Sequence, residues 1–305
     1  TLVVTVDLPV QVNPERYAKN GFSTPLRPSA RLAWDGISHP RWLFGTFART
    51  LLAHGQGRSY GDSALGPRVL STRYLDQLHA FDPETGLLSC AAGTSLDDIL
   101  RTFVPRGWFL PVMPGTRFIT VGGAIASDVH GKNHHRDGTF SAHVASLQIL
   151  LGNGECVGAS PSDKAELFHA TCGGMGLTGV IVSAVLRLKR IAASDVLETR
   201  IKAPSLDAVL EAFDAHAASA YSVAWIDCMA RGASLGRSIL VTAEPCADGP
   251  LVARQVKAPG VPVEMPSGLL NRSVARAFNA TYYRRARARA QTKRKPFESF
   301  FAPLD

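Results

Sequence analysis

Six side chains that can donate or accept protons or hold charge fall within eight residues of one another: Asp128, His130, Lys132, Asn133, His134 and His135. Histidine and lysine are the usual general acids, general bases and fixed cations near neutral pH. They close the stretch PGTRFITVGGAIASDVHGKNHH, residues 114–135. Immediately before them, Thr120 to Ala126 (TVGGAIA) holds only small or aliphatic residues. Backbone bare of bulky side chains can approach a flat ligand closely. Gly122 and Gly123 alone would serve equally well as a bend, but the polar cluster favours a site, and a flavin beside reactive groups accounts for both halves. His130 and His134 have the spacing of metal ligands, yet Gly131 and Asn133 oppose the helix that would align them, so no metal is expected.

A second candidate lies upstream, where the apolar run Phe47 to Ala53 enters HGQGRSYGDSALG. Gly55, Gly57 and Gly61 predict a tight loop whose N–H groups can cradle a pyrophosphate. Gly61 comes one place too late for the GxGxxG of a dinucleotide fold. Gly57 to Gly61 satisfies GxSxG, with Ser59 as a hydrolase nucleophile, but Gly66 and Pro67 follow where that motif must launch a helix. A formal GxGxxG does occur at Gly174 to Gly179, in CGGMGLTG. It follows a helix and precedes a strand, the reverse of a nicotinamide site.

The elements that must carry these segments are readable in part. Residues 1–44 hold five prolines and little periodicity, with at most one strand at Leu2 to Val6. Val69 to Leu75 and Leu87 to Ala92 read as strands around the turn Asp82 to Gly86. Ser95 caps a helix with apolar positions at Leu96, Ile99, Leu100 and Phe103. Val144 to Leu151 is a strand, Gly152-Asn153-Gly154 a hairpin turn and Glu155 to Val157 its return. A helix from Asp163 to Ala170 and a strand from Val180 to Leu188 follow. Beyond Arg190, a strand at Val196 to Ile201, a helix at Leu206 to Phe213 and a strand at Tyr221 to Cys228 suggest a second domain from about residue 192. Trp225 and Asp227 share a face of that last strand. Leu270, Val274, Phe278 and Tyr282 give a helical stripe, which the basic run from Arg284 continues.

Composition bounds the reading. The chain has 305 residues, 46% hydrophobic, enough for a large core and two domains. The opening run Leu2 to Val10 is broken by Asp7 and Pro9, so it reads as neither signal peptide nor membrane span. The five scattered cysteines contain no CxxC pair and fit a reducing compartment. Net charge is +8, and seven basic residues without an acid lie between Arg284 and Lys295. Such a run suits an anionic surface or a phosphate-bearing ligand, or is simply a solvated face. No nucleic-acid recognition motif accompanies it.

HGQGRSYGDSAL, PGTRFITVGGAIASDVHGKNHH and CGGMGLTG, in this order and at these separations, resemble flavoproteins of the vanillyl-alcohol oxidase type, and within them the members that oxidise a polyprenyl-phosphate ribose. The resemblance runs from about residue 50 to the end. It implies an α+β fold: a PCMH-type FAD-binding domain at 1–191, with subdomains of about 1–113 and 114–191, then the first part of a substrate (cap) domain with an antiparallel sheet at 192–305. Family chains continue past the position of Asp305, so the cap and its pocket are incomplete here.

The resemblance also implies roles. Ala53, His54, Gly55, Gln56, Gly57, Arg58, Ser59, Tyr60, Gly61, Asp62 and Ser63 match the loop around the FAD pyrophosphate. Gly115, Thr120, Val121, Gly122 and Gly123 match positions beside the cofactor, Ser127, Asp128, Val129 and His130 the segment along the isoalloxazine, and Ile181 a contact near the adenine. Arg58 stands where members with covalent flavin carry histidine, which implies noncovalent FAD. His130 and Lys132 match catalytic positions, and Lys132 and Trp225 match the substrate pocket. The implied reaction is hydride transfer from a secondary alcohol to flavin N5. Implied partners are a polyprenyl-phosphate sugar or similar glycosyl alcohol, a short-chain reductase completing an epimerisation, and an anionic membrane surface meeting Arg284 to Lys295, with no nucleic acid. The implied location is cytoplasmic or peripheral on the inner membrane. A soluble sugar or alditol oxidase of the same fold is the alternative.

Overall fold

The computed structural model describes residues 52–59, 64–65, 68–254 and 271–301. The expected strand at Leu2 to Val6 lies outside them, as do Tyr60, Gly61, Asp62, Ser63 and Leu270. The fold is α+β, helices packed with antiparallel sheets, and two small pairings join it: β1 (Leu52–His54) with β2 (Val69–Ser71) in parallel, and β5 (Trp108–Phe109) with β9 (Lys189–Arg190).

The first large sheet has the order β3 (Leu78–Asp82), β4 (Leu87–Ala91), β8 (Val180–Arg187), β6 (Val144–Leu150) and β7 (Cys156–Ala159), all antiparallel. The partner of β4 across the Asp82 to Gly86 turn is therefore Leu78–Asp82, not the expected Val69 to Leu75. Only Val69–Ser71 of that run is strand, and it pairs with the segment entering the first glycine-rich loop. The Asp82 carboxylate closes the turn by accepting from the Glu84 N–H at 2.9 Å and the Thr85 hydroxyl at 2.5 Å.

Helix α1 (Leu96–Phe103) forms as its sequence predicts, with the Ser95 hydroxyl accepting from the Asp98 N–H at 3.0 Å. Its inner face, Leu96, Ile99, Leu100 and Phe103, joins Leu88, Leu147 and Ile149 of the sheet in the main core. Full burial of such a side chain is worth about 1.5–3 kcal/mol. Two short helices follow, α2 (Val121–Ala126) and α3 (His134–Asp137). Helix α4 (Ala165–Thr171) precedes β8.

The second large sheet has the order β11 (Tyr221–Ile226), β12 (Ser238–Pro245), β10 (Asp195–Ala203), β13 (Gln291–Pro296), again antiparallel. Helix α5 (Leu206–Ala215) packs Val209 against Ala203 and Leu240 of this sheet. Helix α6 (Arg272–Arg285) buries no residue fully, and Phe278 remains 62% exposed. The expected continuation of that helix through the basic run does not form. Ala286 turns to extended backbone (φ −66°, ψ 130°), and Gln291–Pro296 becomes the edge strand beside β10. Acids of β10 hold it there: Glu198 lies 2.8 Å from the Lys295 ammonium, and Asp195 lies 3.8 Å from the Arg294 guanidinium.

Helix α7 (Phe297–Phe301) follows directly, and its buried Phe297, Phe300 and Phe301 join the same core that α1 enters. Phe109 of β5 meets the Phe297 ring at 5.2 Å, and Tyr221 of β11 meets the Phe301 ring at 4.8 Å. The main core therefore continues without a break across residue 191.

Candidate cofactor and active site

The three glycine-rich segments converge on one cavity of about 600 Å³, within the 300–1,000 Å³ range of ligand pockets. The first contributes Ala53, Gly55, Gln56, Gly57, Arg58 and Ser59. The second contributes Gly115, Thr120, Gly122 and Gly123, then Ser127, Asp128, Val129, His130 and Lys132. Ile181 of β8 lines it as well. His54 does not: its ring Nδ1 is 2.9 Å from the Ala64 carbonyl oxygen, bracing the two ends of the loop. Val121 is fully buried on the core side of α2. Trp225 is absent from the lining, but Val223, two residues earlier on the same face of β11, is part of it. The Trp225 ring packs against Tyr282 of α6 at 4.9 Å.

The glycines divide by what their missing side chains allow. A Cβ on Gly55 would lie 2.5 Å from the Thr120 hydroxyl oxygen, so the first loop is pressed against the start of α2. A Cβ on Gly122 would lie 3.0 Å from the Ala92 Cβ, and the Gly122 N–H donates to the Ala92 carbonyl at 2.7 Å. These two residues serve the joining of chain to chain. Gly123 and Gly176 differ: a Cβ at the former meets only the Thr120 hydroxyl oxygen at 3.1 Å, and at the latter nothing within 4 Å. They keep open space at the cavity wall. Thr120 itself caps α2, its hydroxyl accepting from the Gly123 N–H.

The segment after α2 is held under backbone strain. Asp128 (φ 40°) and Met175 (φ 52°) both line the cavity in the left-handed region, which costs a non-glycine residue about 1–3 kcal/mol. Tertiary hydrogen bonds maintain them: the Asp128 carboxylate accepts from the Ser141 N–H at 2.9 Å, and the Met175 N–H donates to the Ala126 carbonyl at 2.8 Å. In this way CGGMGLTG docks on the end of α2. Asn133 is fully buried, its amide donating to the Pro111 carbonyl at 2.7 Å and the Asp137 carboxylate at 2.6 Å.

His130 and Lys132 thus emerge from a segment fixed at both ends. The His130 and His134 rings meet edge to face at 5.6 Å, and among the described residues no group of three or more His, Cys, Asp or Glu could hold a metal. The Lys132 ammonium donates to the Phe300 and Phe301 carbonyls and lies 4.7 Å from the centre of the Phe300 ring. Its backbone carbonyl accepts from the Ser222 N–H at 2.7 Å. The loop is therefore clasped between β11 and α7. Burial pushes the nearby Tyr221 phenol up to about 12, so it stays protonated at neutral pH.

Several lining residues escaped the sequence reading. Pro114, Thr116 and Ile119 lie inside the stretch singled out, and Met175, Gly176 and Gly179 inside the glycine pattern rejected as a nicotinamide loop. The motif has the wrong context for a nicotinamide loop, yet it lines the site. Val223 carries no local signal at all.

The FAD binding domain family matches residues 45–160. The chain is 35% identical over 272 residues to decaprenylphosphoryl-beta-D-ribose oxidase of Mycolicibacterium smegmatis, covering 84% of this chain and 59% of that protein. It carries an FAD binding domain and is similar to an oxidoreductase over most of its length. An uncharacterized protein in the mprA 5′ region of Streptomyces coelicolor is 36% identical over 185 residues, 58% of this chain and 50% of that protein. Cytokinin dehydrogenase 4 of Arabidopsis thaliana is 28% identical over 194 residues, 61% of this chain and 33% of that protein. The chain thus spans roughly half of its first two relatives.

FAD is the cofactor of this domain, and the residues present fit it. Open space at Gly123 and Gly176 admits a flat ligand, while Arg58 and Lys132 line the same cavity with positive charge suited to an anionic cofactor. Among the described residues no helix is long and apolar enough to cross a membrane.

Proposed function

We propose that the protein carrying this chain oxidises a secondary alcohol on a polyprenyl-phosphate sugar, with FAD held noncovalently. One observation carries the reading: the reactive residues His130 and Lys132 line the same cavity as the glycine-rich loop at Ala53 to Ser59. The likeness to decaprenylphosphoryl-beta-D-ribose oxidase over 84% of the chain supports the substrate class. Residues 1–191 form the FAD-binding unit and 192–305 the first part of the substrate unit. Arg58, rather than histidine, in the first loop supports a noncovalent flavin.

Bound FAD supplies the acceptor for hydride. The loop at Ala53 to Ser63 would hold its pyrophosphate, and Gly115, Thr120, Gly122, Gly123, Ser127 to His130 and Ile181 would hold the rest of it. His130 and Lys132 face the alcohol, Lys132 as a fixed cation and hydrogen-bond donor whose position depends on the Phe300 and Phe301 carbonyls. Val223 continues the wall on the substrate side, and Trp225 lies two residues further along the same face of β11, packed on Tyr282. A short-chain reductase completes the epimerisation. The basic residues from Arg284 to Lys295 that carry no acid partner among the described residues meet an anionic membrane, each contributing about 1 kcal/mol near its surface, in keeping with a cytoplasmic or inner-membrane location.

The test is spectroscopic. The purified protein shows flavin absorbance, the flavin leaves with the supernatant on denaturation, and anaerobic addition of a polyprenyl-phosphate ribose bleaches it while free alditols do not. A colourless folded protein sinks the reading, and bleaching by free sugars or alditols alone moves it to a soluble sugar oxidase of the same fold.

A further inference from the structure

A second cavity, of about 270 Å³, lies on the β10–β13 side of the second sheet. Side chains alternate in direction along a strand and align across paired positions. Glu198, Arg200 and Lys202 of β10 therefore share a face with Gln291, Lys293 and Lys295 of β13, and all six line the cavity. The end of α6 and the turn after it close the cavity with Arg285, Arg287 and Arg289. Two of these basic residues come from β10, nearly a hundred positions away from the basic run in sequence.

The balance of charge is one-sided: Glu198 is the only acid among seven basic lining residues. It is already engaged, 2.8 Å from the Lys295 ammonium and 2.7 Å from the Arg200 Nε. Burial alone would raise its pKa, but those two hydrogen bonds hold it below the ordinary carboxylate value, so it stays ionised. Lys202 is spent on the Ala286 carbonyl at 3.2 Å and on the Tyr283 ring at 4.3 Å. Arg285, Arg287, Arg289 and Lys293 have no carboxylate within 4.0 Å among the described residues. Four cations gathered on one concave surface repel one another until an anion joins them, and guanidinium groups match phosphate oxygens in bidentate pairs.

Its position narrows the ligand. Val223, which lines the large cavity, is paired with Val241, Val241 with Arg200, and Arg200 with Gln291. Arg200 is thus two strands from Val223 on the same sheet face, roughly 10 Å at about 4.8 Å per strand.

We propose that this basic cavity is a subsite for a phosphate ester or pyrophosphate group. A ligand whose oxidisable end enters the large cavity reaches it across the sheet face, a connection that rests on the function proposed above. Calorimetric titration of the protein with inorganic pyrophosphate at low salt tests the subsite without any flavin chemistry. Pyrophosphate binds, the double variant Arg287→Gln/Arg289→Gln weakens it at least tenfold, and Arg231→Gln, an exposed arginine outside the cavity, leaves it unchanged. No binding, or an equal loss in the Arg231 variant, overturns the proposal.

Vesicles containing phosphatidylglycerol separate the sources. Cosedimentation lost in the same double variant, together with pyrophosphate binding, identifies a lipid phosphate as the group bound. Pyrophosphate binding with indifference to vesicles identifies a soluble one. Cosedimentation without pyrophosphate binding shows an open basic surface and overturns the subsite. In turnover, pyrophosphate raises KM for the alcohol and leaves kcat unchanged; a fall in kcat alone, or no effect, overturns the connection to the large cavity while the binding isotherm stands.

Discussion

Asn133 is the side chain on which the position of His130 and Lys132 depends, and replacing it tests that claim. In Asn133→Ala the Pro111 carbonyl loses its donor at 2.7 Å and the Asp137 carboxylate its donor at 2.6 Å. Leaving a buried carbonyl unpaired costs about 1–3 kcal/mol, and a hydrogen bond to a charged group is worth about 1.5–3 kcal/mol. Asp137 is only half-buried, so water replaces part of that second loss. The Asn133 Oδ1 has no partner in the native fold, and removing it recovers about 1 kcal/mol. The net expectation is a loss of about 2 kcal/mol. Asn133→Asp is worse at pH 7, by at least about 1 kcal/mol, because a second carboxylate then faces Asp137 and a carbonyl oxygen. That variant recovers on acidification, when the new acid is protonated and can donate. Urea unfolding followed by tryptophan fluorescence measures both, and flavin content should fall in step. An Ala variant within about 0.5 kcal/mol of wild type, or an Asp variant no worse than Ala, would refute the reasoning.

The two glycines of α2 that line the large cavity separate packing from binding. Gly122→Ala presses on the Ala92 Cβ at 3.0 Å and its backbone carbonyl at 3.2 Å and costs about 1–3 kcal/mol in denaturant titration, whereas Gly123→Ala meets only the Thr120 hydroxyl at 3.1 Å, costs about 1 kcal/mol or less and weakens FAD retention measured by filtration. Asp227 is 1% exposed and accepts from Arg237 at 2.6 Å and Asn279 at 2.7 Å. Burial would raise its pKa, but these donors and the Met229 N–H hold it below the ordinary value. Its contribution is therefore complete above the unfolded pKa and disappears as pH falls through the lower folded one. Asp227→Asn costs about 1.5–3 kcal/mol at pH 7, since the partly exposed Arg237 is rehydrated, and the gap to wild type narrows below about pH 4 in thermal melts at graded pH.

Local chemistry was enough wherever an element depends on its own residues. Ser95 with the spacing of Leu96, Ile99, Leu100 and Phe103 fixes α1, and Gly152-Asn153-Gly154 marks the turn between β6 and β7. The three segments that line the large cavity were also visible, because small residues followed by a polar cluster are a local signal. Partnership was not. Leu78–Asp82 carries no clear alternation, yet it pairs with β4 because the Asp82 turn brings it there. VGGAIA has two glycines, poor helix formers, and becomes α2 because Thr120 caps it and Ala92 receives its first turn. The basic run looked like a continuing helix until the acids of β10 drew Gln291–Pro296 into a sheet. Residue types and short spacings determine which segments can touch a cofactor. Only the tertiary fold decides which glycines serve the ligand and which the packing, where the Lys132 ammonium is held, and that Arg200 and Lys202 join the basic run, since each depends on neighbours distant in the chain.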